Sequence, residues 1–287
     1  MDWMADFPVT RVVAHLIPAS SAPLPHDIGS RVRGEVEKHL RHIVCARCKG
    51  DSHTPHCVIP AWWRRPAQEA PRWWLRVRPR PGEDVGVGNP LEIEISAIAD
   101  IPRPSALIEA IRRAAASGIA SRPLTVSRLL VHGDGGVADL DSTGVVWPSA
   151  APLSALSRPV GGGGATIVLT SPYQGRRDAE RKPTVADWIT SAIGRVRALA
   201  RAAETRVDVR WPDADPRMGA ASLWLVPGTR KARSQAGNQD LSGWVGTFRL
   251  AAEEVAPYAD LVAAAEVLSV GRGVTRGLGT IDVQWDS

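Results

Sequence analysis

DIGSRVRGEVEKHLRHIV, residues 27–44, carries Ile28, Val32, Val36, Leu40 and Ile43 at helical spacing, and VTRVVAHLI, residues 9–17, reads as a strand ahead of it. Working outward, Arg72 to Val77 and Leu91 to Ile98 alternate like paired, half-buried strands, joined by a Pro/Gly/Asp-rich connection that signals a hairpin. Pro104 to Ser117 opens on a proline and repeats Leu107, Ile108, Ile111, Ala114 and Ala115, which predicts a second helix, and Leu124 to Val131 supplies a fourth strand. The order β-α-β-β-α-β is that of a ferredoxin-like unit.

At 287 residues the chain has room for two such domains. WPSAAPLSALSRPVGGGG, residues 147–164, is written like a flexible connection, which predicts an N-terminal domain over 1–150, a linker over 151–164 and a C-terminal domain over 165–287. In the second part, Ala165 to Thr170, Val207 to Trp211, Leu223 to Val226, Gly243 to Leu250 and Thr280 to Trp285 read as strands, with helices over Thr184 to Ala203 and around Ala259 to Val267. The fold class expected is α+β, two tandem ferredoxin-like (βαββαβ) domains. The duplication is inferred from element order, since no identity between the halves is visible.

Apolar residues make up 44% and charged residues 23% of the chain, the balance of a globular protein rather than a disordered one. No apolar run approaches the ~20 residues that span a bilayer, so a cytoplasmic protein is expected. Three cysteines, all between positions 45 and 57, are no secreted disulfide framework. A net charge of +5 is compatible with a polyanionic partner but decides little alone. Arg outnumbers Lys by 31 to 4, which favours bidentate phosphate recognition, although abundant Ala, Gly and Pro point to GC-rich coding that raises Arg anyway. Eleven Trp against two Phe and two Tyr supply candidate stacking platforms for unpaired bases, with core filling the expected role of most.

VGRGVTRGLGT, residues 270–280, is the most specific signal. Gly271, Gly273, Gly277 and Gly279 let the backbone take positive φ and lie close to a ligand, while Arg272, Thr275 and Arg276 offer donors to phosphate. The loop falls between a helix and a strand, the wrong order for a dinucleotide-binding turn, and on spacing alone a tight structural turn weighs equally. Arg230, Lys231 and Arg233, in RKARSQAGNQDLSGWVGTFR (230–249), form a second basic run.

On the first helix Arg31, Glu35, Lys38 and His42 share one flank. Cleaving RNA needs only deprotonation of the internal 2′-OH, its alignment with the adjacent phosphate, stabilisation of the anionic transition state and protonation of the leaving 5′ oxygen. His42 fits as general acid or base, with Lys38 and Arg31 stabilising charge. A solvated charged face explains the same flank, an arginine-only site of Arg31 with Arg33 is a further option, and His39 falls nearer the apolar stripe. CARCKGDSHTPHC, residues 45–57, offers Cys45, Cys48, His53, His56 and Cys57, and the set Cys45, Cys48, His53 and Cys57 would suit a structural zinc, although the spacing is no standard knuckle.

Leu261 to Val283 resembles the C-terminal glycine-rich signature of the CRISPR-associated repeat-processing endoribonucleases of the RAMP superfamily, where a helix leads into a "VGKGTTFGLG"-like loop and a last strand. Residues 230–249 resemble that family's basic run followed by a Gly-aromatic-x-Gly strand, and Leu24 to Trp63 resembles its "LP…G…RG" helix opening with a cysteine-containing loop. Arg276 stands where an aromatic is usual and the cysteine spacing is its own, departures that point to a divergent member such as those of type IV systems. The resemblance implies two ferredoxin-like domains, binding of a CRISPR repeat RNA, cleavage without a catalytic cofactor or metal, retention of the mature crRNA, and association with other subunits of an effector complex. A catalytically silent crRNA-binding subunit of the same superfamily would share the fold and the loop without needing His42. An RNA-binding module outside CRISPR is weaker, since the strands lack a recognisable aromatic motif.

Overall fold

A computed structural model describes residues 3–45, 48, 57, 59, 63, 71–80, 82–140, 147–158, 160–175, 181–207, 209, 219–231 and 238–286. The chain divides into two compact units, Pro8–Ala151, and Met1–Phe7 together with Pro152–Ser287.

The first unit runs β1 (Pro8–Pro18), α1 (Ile28–Val44), β2 (Trp73–Arg78), β3 (Leu91–Ile98), α2 (Pro104–Ser117) and β4 (Leu124–Gly133), with a short β5 (Gly136–Asp139) hairpinned onto β4. The antiparallel strands lie in the order β2-β3-β1-β4, the ferredoxin-like arrangement. Because side chains alternate along a strand, Val12, Ala14 and Leu16 of β1 share a buried face with Leu75, Ile93, Ile95, Leu129 and Val131. The stripe Ile28, Val32, Val36 and Leu40 packs on that face, each side chain at most 3% exposed. Burial of this kind contributes about 1.5–3 kcal/mol per large aliphatic side chain. α2 adds Leu107, Ala110, Ile111 and Ala114 to the same core. Of the described tryptophans, Trp63, Trp73, Trp74 and Trp188 are buried, whereas Trp3, Trp147, Trp244 and Trp285 are half-buried and Trp224 is exposed; Trp63 stacks on Trp73 at 4.0 Å between ring centroids, with the Arg33 guanidinium 5.6 Å from the Trp73 ring centre.

The second unit contains α3 (Leu153–Leu156), β6 (Ala165–Tyr173), α4 (Val185–Ala202), β7 (Ala221–Val226), β8 (Thr229–Lys231), β9 (Asn238–Asp240), β10 (Gly243–Leu250), α5 (Ala259–Leu268) and β11 (Ile281–Trp285). Its sheet order, β7-β10-β6-β11, repeats that of the first unit, and β8 pairs with β9 as a separate ribbon. A reciprocal capping box starts α4: Thr184 Oγ1 accepts from the Asp187 amide at 3.1 Å and Asp187 Oδ2 accepts from the Thr184 amide at 2.9 Å. Trp188 of α4 meets Phe248 of β10 edge-to-face at 5.7 Å, and Tyr173 Oη lies 2.9 Å from Ser191 Oγ.

Two expectations need correction. The second strand of this unit is Ala221–Val226 rather than residues 207–211, of which Val207 and Val209 are the described ones; neither joins a strand, and the Val209 carbonyl accepts from Arg197 Nη2 at 2.7 Å. The segment expected to be a flexible linker is packed instead. Leu153 is fully buried in a helical turn, and its amide donates to the Phe7 carbonyl at 2.8 Å, which draws the N-terminal residues into this unit. A Cβ on Gly164 would lie 2.6 Å from the Leu250 carbonyl oxygen and one on Gly161 2.8 Å from Trp285 Cβ, so these glycines serve close packing rather than flexibility.

Candidate nucleic-acid interface

The Gly-rich loop joins α5 to β11. α5 is apolar all round and fully buried from Leu261 to Leu268, so the loop leaves a fixed base. The only acid in that stretch, Glu266, accepts from the Val283 amide at 3.2 Å and pairs with Arg158 at 3.6 Å. The loop then folds against the end of β6. Val270 donates to the Gly279 carbonyl at 2.8 Å, Gly279 to the Pro172 carbonyl at 2.9 Å, and Arg272 to the Gln174 carbonyl at 3.1 Å. Gly271, Gly273, Gly277 and Gly279 all have positive φ, as expected. The close approach they permit is to the chain itself: a Cβ on Gly271 would meet the Gln174 carbonyl oxygen at 2.7 Å and one on Gly273 would meet Leu278 Cδ1 at 2.7 Å. The glycines therefore build a rigid turn, and what that turn presents outward is Arg272, exposed, with Thr275 and Arg276 half-buried beside it.

Sequence reasoning gave no role to Gln174. Its side-chain amide donates to the Ser242 carbonyl at 2.6 Å and the Asp240 carbonyl at 3.3 Å, while its own carbonyl takes the Arg272 amide. One buried residue thus ties the Gly-rich loop to the end of the β8–β9 ribbon, which contains Arg230 and Lys231, paired across from Gln239 and Asn238. A lone glutamine after a strand carries no motif that reveals this joint. Arg233 lies outside the described residues.

On α1 the expected flank is only partly brought together. Arg31 Nε is 2.7 Å from Asp27 Oδ1 and Lys38 Nζ is 3.1 Å from Glu35 Oε2, two surface ion pairs within the helix. The eleven positions between Arg31 and His42 correspond to about 16 Å of helix rise, too far for both to serve one phosphate. Lys38 and His42 are one turn apart, and the rings of His39 and His42 are 6.4 Å apart, so these three form the local cluster. His42 is exposed. His39 is half-buried, with Nε2 2.9 Å from Ser117 Oγ on α2, and burial, then the Lys38 charge, lower its pKa and favour the neutral ring. The Arg33 guanidinium, engaged over Trp73, is turned to the helix–sheet packing.

At the end of α1, Cys45 Sγ is 3.3 Å from Cys57 Sγ, and the three sulfurs of Cys45, Cys48 and Cys57 lie within 4.8 Å of one another, a group able to hold a metal ion. Burial and the neighbouring Cys57 and Cys48 thiols push the Cys45 pKa up to about 12. His53 and His56, the other expected ligands, lie outside the described residues.

The outer face of the first sheet carries a polar cluster that sequence reasoning missed. Glu94 is buried, which by itself raises its pKa, but Arg11, Arg76, a Ser96 hydroxyl donor and Arg78 outweigh this and hold the carboxyl below its ordinary value. Arg11 Nε is 3.4 Å from Glu94 Oε1, and Arg76 is also buried, so these groups read as a structural ion network rather than an open phosphate site. Among the described residues no helix is long and apolar enough to cross a membrane.

No protein-family model matches the chain, and no curated protein matches it in sequence. Solved structures do match by shape. A Thermus thermophilus Cas6 is 15% identical with a TM-score of 0.55, covering 97% of this chain and 99% of its own. A Cas6 product complex is 15% identical with a TM-score of 0.54, covering 96% and 100%. The product of a Cas6-related gene from Pyrococcus furiosus is 10% identical with a TM-score of 0.53, covering 97% and 100%. Over nearly its whole length, the chain has the two-unit ferredoxin-like fold of these Cas6 structures.

Proposed function

We propose that the chain binds the repeat RNA of a CRISPR transcript, cuts it without a metal, stays bound to the mature crRNA and joins other subunits of an effector complex; any zinc on the cysteine cluster is structural. The observation that carries this reading is the Gly-rich loop of the second ferredoxin-like unit. It follows a helix and precedes the last strand, the order of the resembled signature, is tied to the end of β6 by backbone hydrogen bonds from Gly279 to Pro172 and from Arg272 to Gln174, and exposes Arg272. A similarity in fold to a Cas6 product complex supports it.

The chemistry requires little beyond positioned donors. One group removes the 2′-OH proton, the 2′ oxygen attacks the adjacent phosphorus, the P–O5′ bond breaks, and a second group protonates the departing oxygen. A 2′,3′-cyclic phosphate and a 5′-hydroxyl result. His42 is the acid or base, Lys38 one turn away stabilises the anionic transition state, and His39, oriented by Ser117, shapes the ground on which His42 works. Arg31, removed along the helix, contributes to binding rather than to the reacting phosphate. Incubating the full chain with repeat RNA in excess chelator tests the reading. Products with 5′-hydroxyl and cyclic-phosphate ends are expected, whereas tight binding with intact RNA would identify a silent crRNA-binding subunit instead.

Arg272 and Arg276 provide a separate test of the loop. Each phosphate contact contributes about 0.7–0.9 to the slope of log affinity against log salt. The double variant Arg272→Ala/Arg276→Ala should bind RNA at least about tenfold more weakly at low salt, with a slope flatter by about 1–2. Unchanged affinity across several salt concentrations would remove these residues from the interface. In this reading Arg230, Lys231 and Arg233 also contribute to RNA binding, with smaller single effects.

A further inference from the structure

The cysteine cluster takes no part in the chemistry above, yet the fold gathers it with care. We propose that Cys45, Cys48 and Cys57 are the thiolate ligands of a tetrahedral Zn2+ site that fastens the C-terminal end of α1 to the polypeptide leading into β2.

Three observations on this chain support the assignment. All three of its cysteines are at this one place, with every sulfur within 4.8 Å of the others. Thiolates around tetrahedral zinc, with Zn–S bonds of about 2.3 Å, stand about 3.8 Å apart, so the ion needs only small adjustments of the side chains. The backbone is also shaped for the purpose. The Cys45 amide closes the last turn of α1 on the Arg41 carbonyl at 2.8 Å, and the Cys48 amide donates to the Cys45 carbonyl at 2.8 Å, which holds the two residues of the Cys-x2-Cys pair close together. Cys57, only 4% exposed, comes from a different part of the chain, next to the buried Ile59 and Trp63. Packing alone would be met by any small apolar residue at these positions. Three soft sulfur donors select zinc over magnesium or calcium, and a single neutral donor such as an imidazole nitrogen or water completes the tetrahedron. A disulfide between Cys45 and Cys57 is the competing use of the pair, but it would not account for the third sulfur gathered at the same place.

The site sits one residue past the end of the helix that carries Lys38, His39 and His42, so the ion would hold that end of the helix in register with the sheet. The test uses the full chain, reduced, freed of metal with a chelator and titrated with Co2+ as a spectroscopic probe. Thiolate-to-cobalt charge-transfer absorption and the intense visible bands of tetrahedral cobalt should grow to saturation at about one ion per chain, and Zn2+ should displace the cobalt. Since there are no other cysteines, thiol titration reads this site alone. Reactivity should fall on adding Zn2+ and return with chelator, and the unfolding midpoint should rise with Zn2+. Cys48→Ser, at the half-buried position least tied to the core, should weaken Co2+ binding at least tenfold. Absence of cobalt bands at excess Co2+, thiols that react equally with and without Zn2+, or a Cys45–Cys57 disulfide with a free Cys48 in the freshly purified protein would each overturn the proposal.

Discussion

Replacing His42 by Ala is expected to slow single-turnover cleavage of repeat RNA by about 100- to 10,000-fold, the usual contribution of a positioned acid or base. The size follows from the chemistry, because the nucleophile belongs to the substrate and the protein supplies proton transfer and charge stabilisation. The side chain is exposed at the end of α1, so the fold and its stability should change little. RNA affinity should change by no more than about twofold, which separates a chemical role from a binding one. Lys38→Ala should produce a smaller loss, since its charge is shared with Glu35 at 3.1 Å. Wild-type rates from His42→Ala would remove that residue from the reaction and leave His39 as the remaining histidine of the helix cluster.

Gly279→Ala should be the most damaging single methyl in the second unit. At φ +69° the residue sits where an L side chain is strained, by roughly 1–2 kcal/mol, and the added Cβ would lie 1.7 Å from the Val270 carbonyl oxygen, inside any tolerable contact. Relief requires separating the strands of the turn, which breaks the Val270–Gly279 and Gly279–Pro172 hydrogen bonds together. Stability should drop by about 2–4 kcal/mol, in the range of severe buried substitutions, and RNA affinity should fall at least tenfold because Arg272 loses its fixed base. Thermal melts and binding isotherms on the same preparation check both. Arg272→Ala is the matching control, weakening binding while leaving the melt unchanged. A Gly279→Ala protein with normal melting and normal affinity would contradict the rigid-turn account of the loop.

Much of the fold was legible because local pattern and tertiary environment agree. The α1 stripe is buried where its spacing put it, α2 occupies Pro104–Ser117, and β3 occupies Leu91–Ile98, since alternation and helical period are direct imprints of one buried face. What was misread depends on contacts distant in sequence. The glycines at 161–164 look like a linker until Leu250, Trp285 and Asp286 are seen against Gly161, Gly163 and Gly164. Val207 and Val209 have strand-like composition, but Arg197 claims the Val209 carbonyl and the sheet takes Ala221–Val226. At the candidate site the loop glycines and the histidines of α1 were visible as motifs. The reach from Arg31 to His42, the Ser117 partner of His39 and the Gln174 joint were not, because each is a distance between elements rather than a spacing along one.

The most direct test of the ribonuclease reading is a pair of repeat RNAs differing only in one 2′-hydroxyl, removed from the nucleotide on the 5′ side of the cut, both incubated with the full chain in excess chelator. The ribo substrate should be cut to a cyclic phosphate and a 5′-hydroxyl, and the deoxy substrate should bind with the same affinity and remain whole. Cleavage of the deoxy RNA, or cleavage of the ribo RNA that appears only when a divalent ion is supplied, would contradict the account.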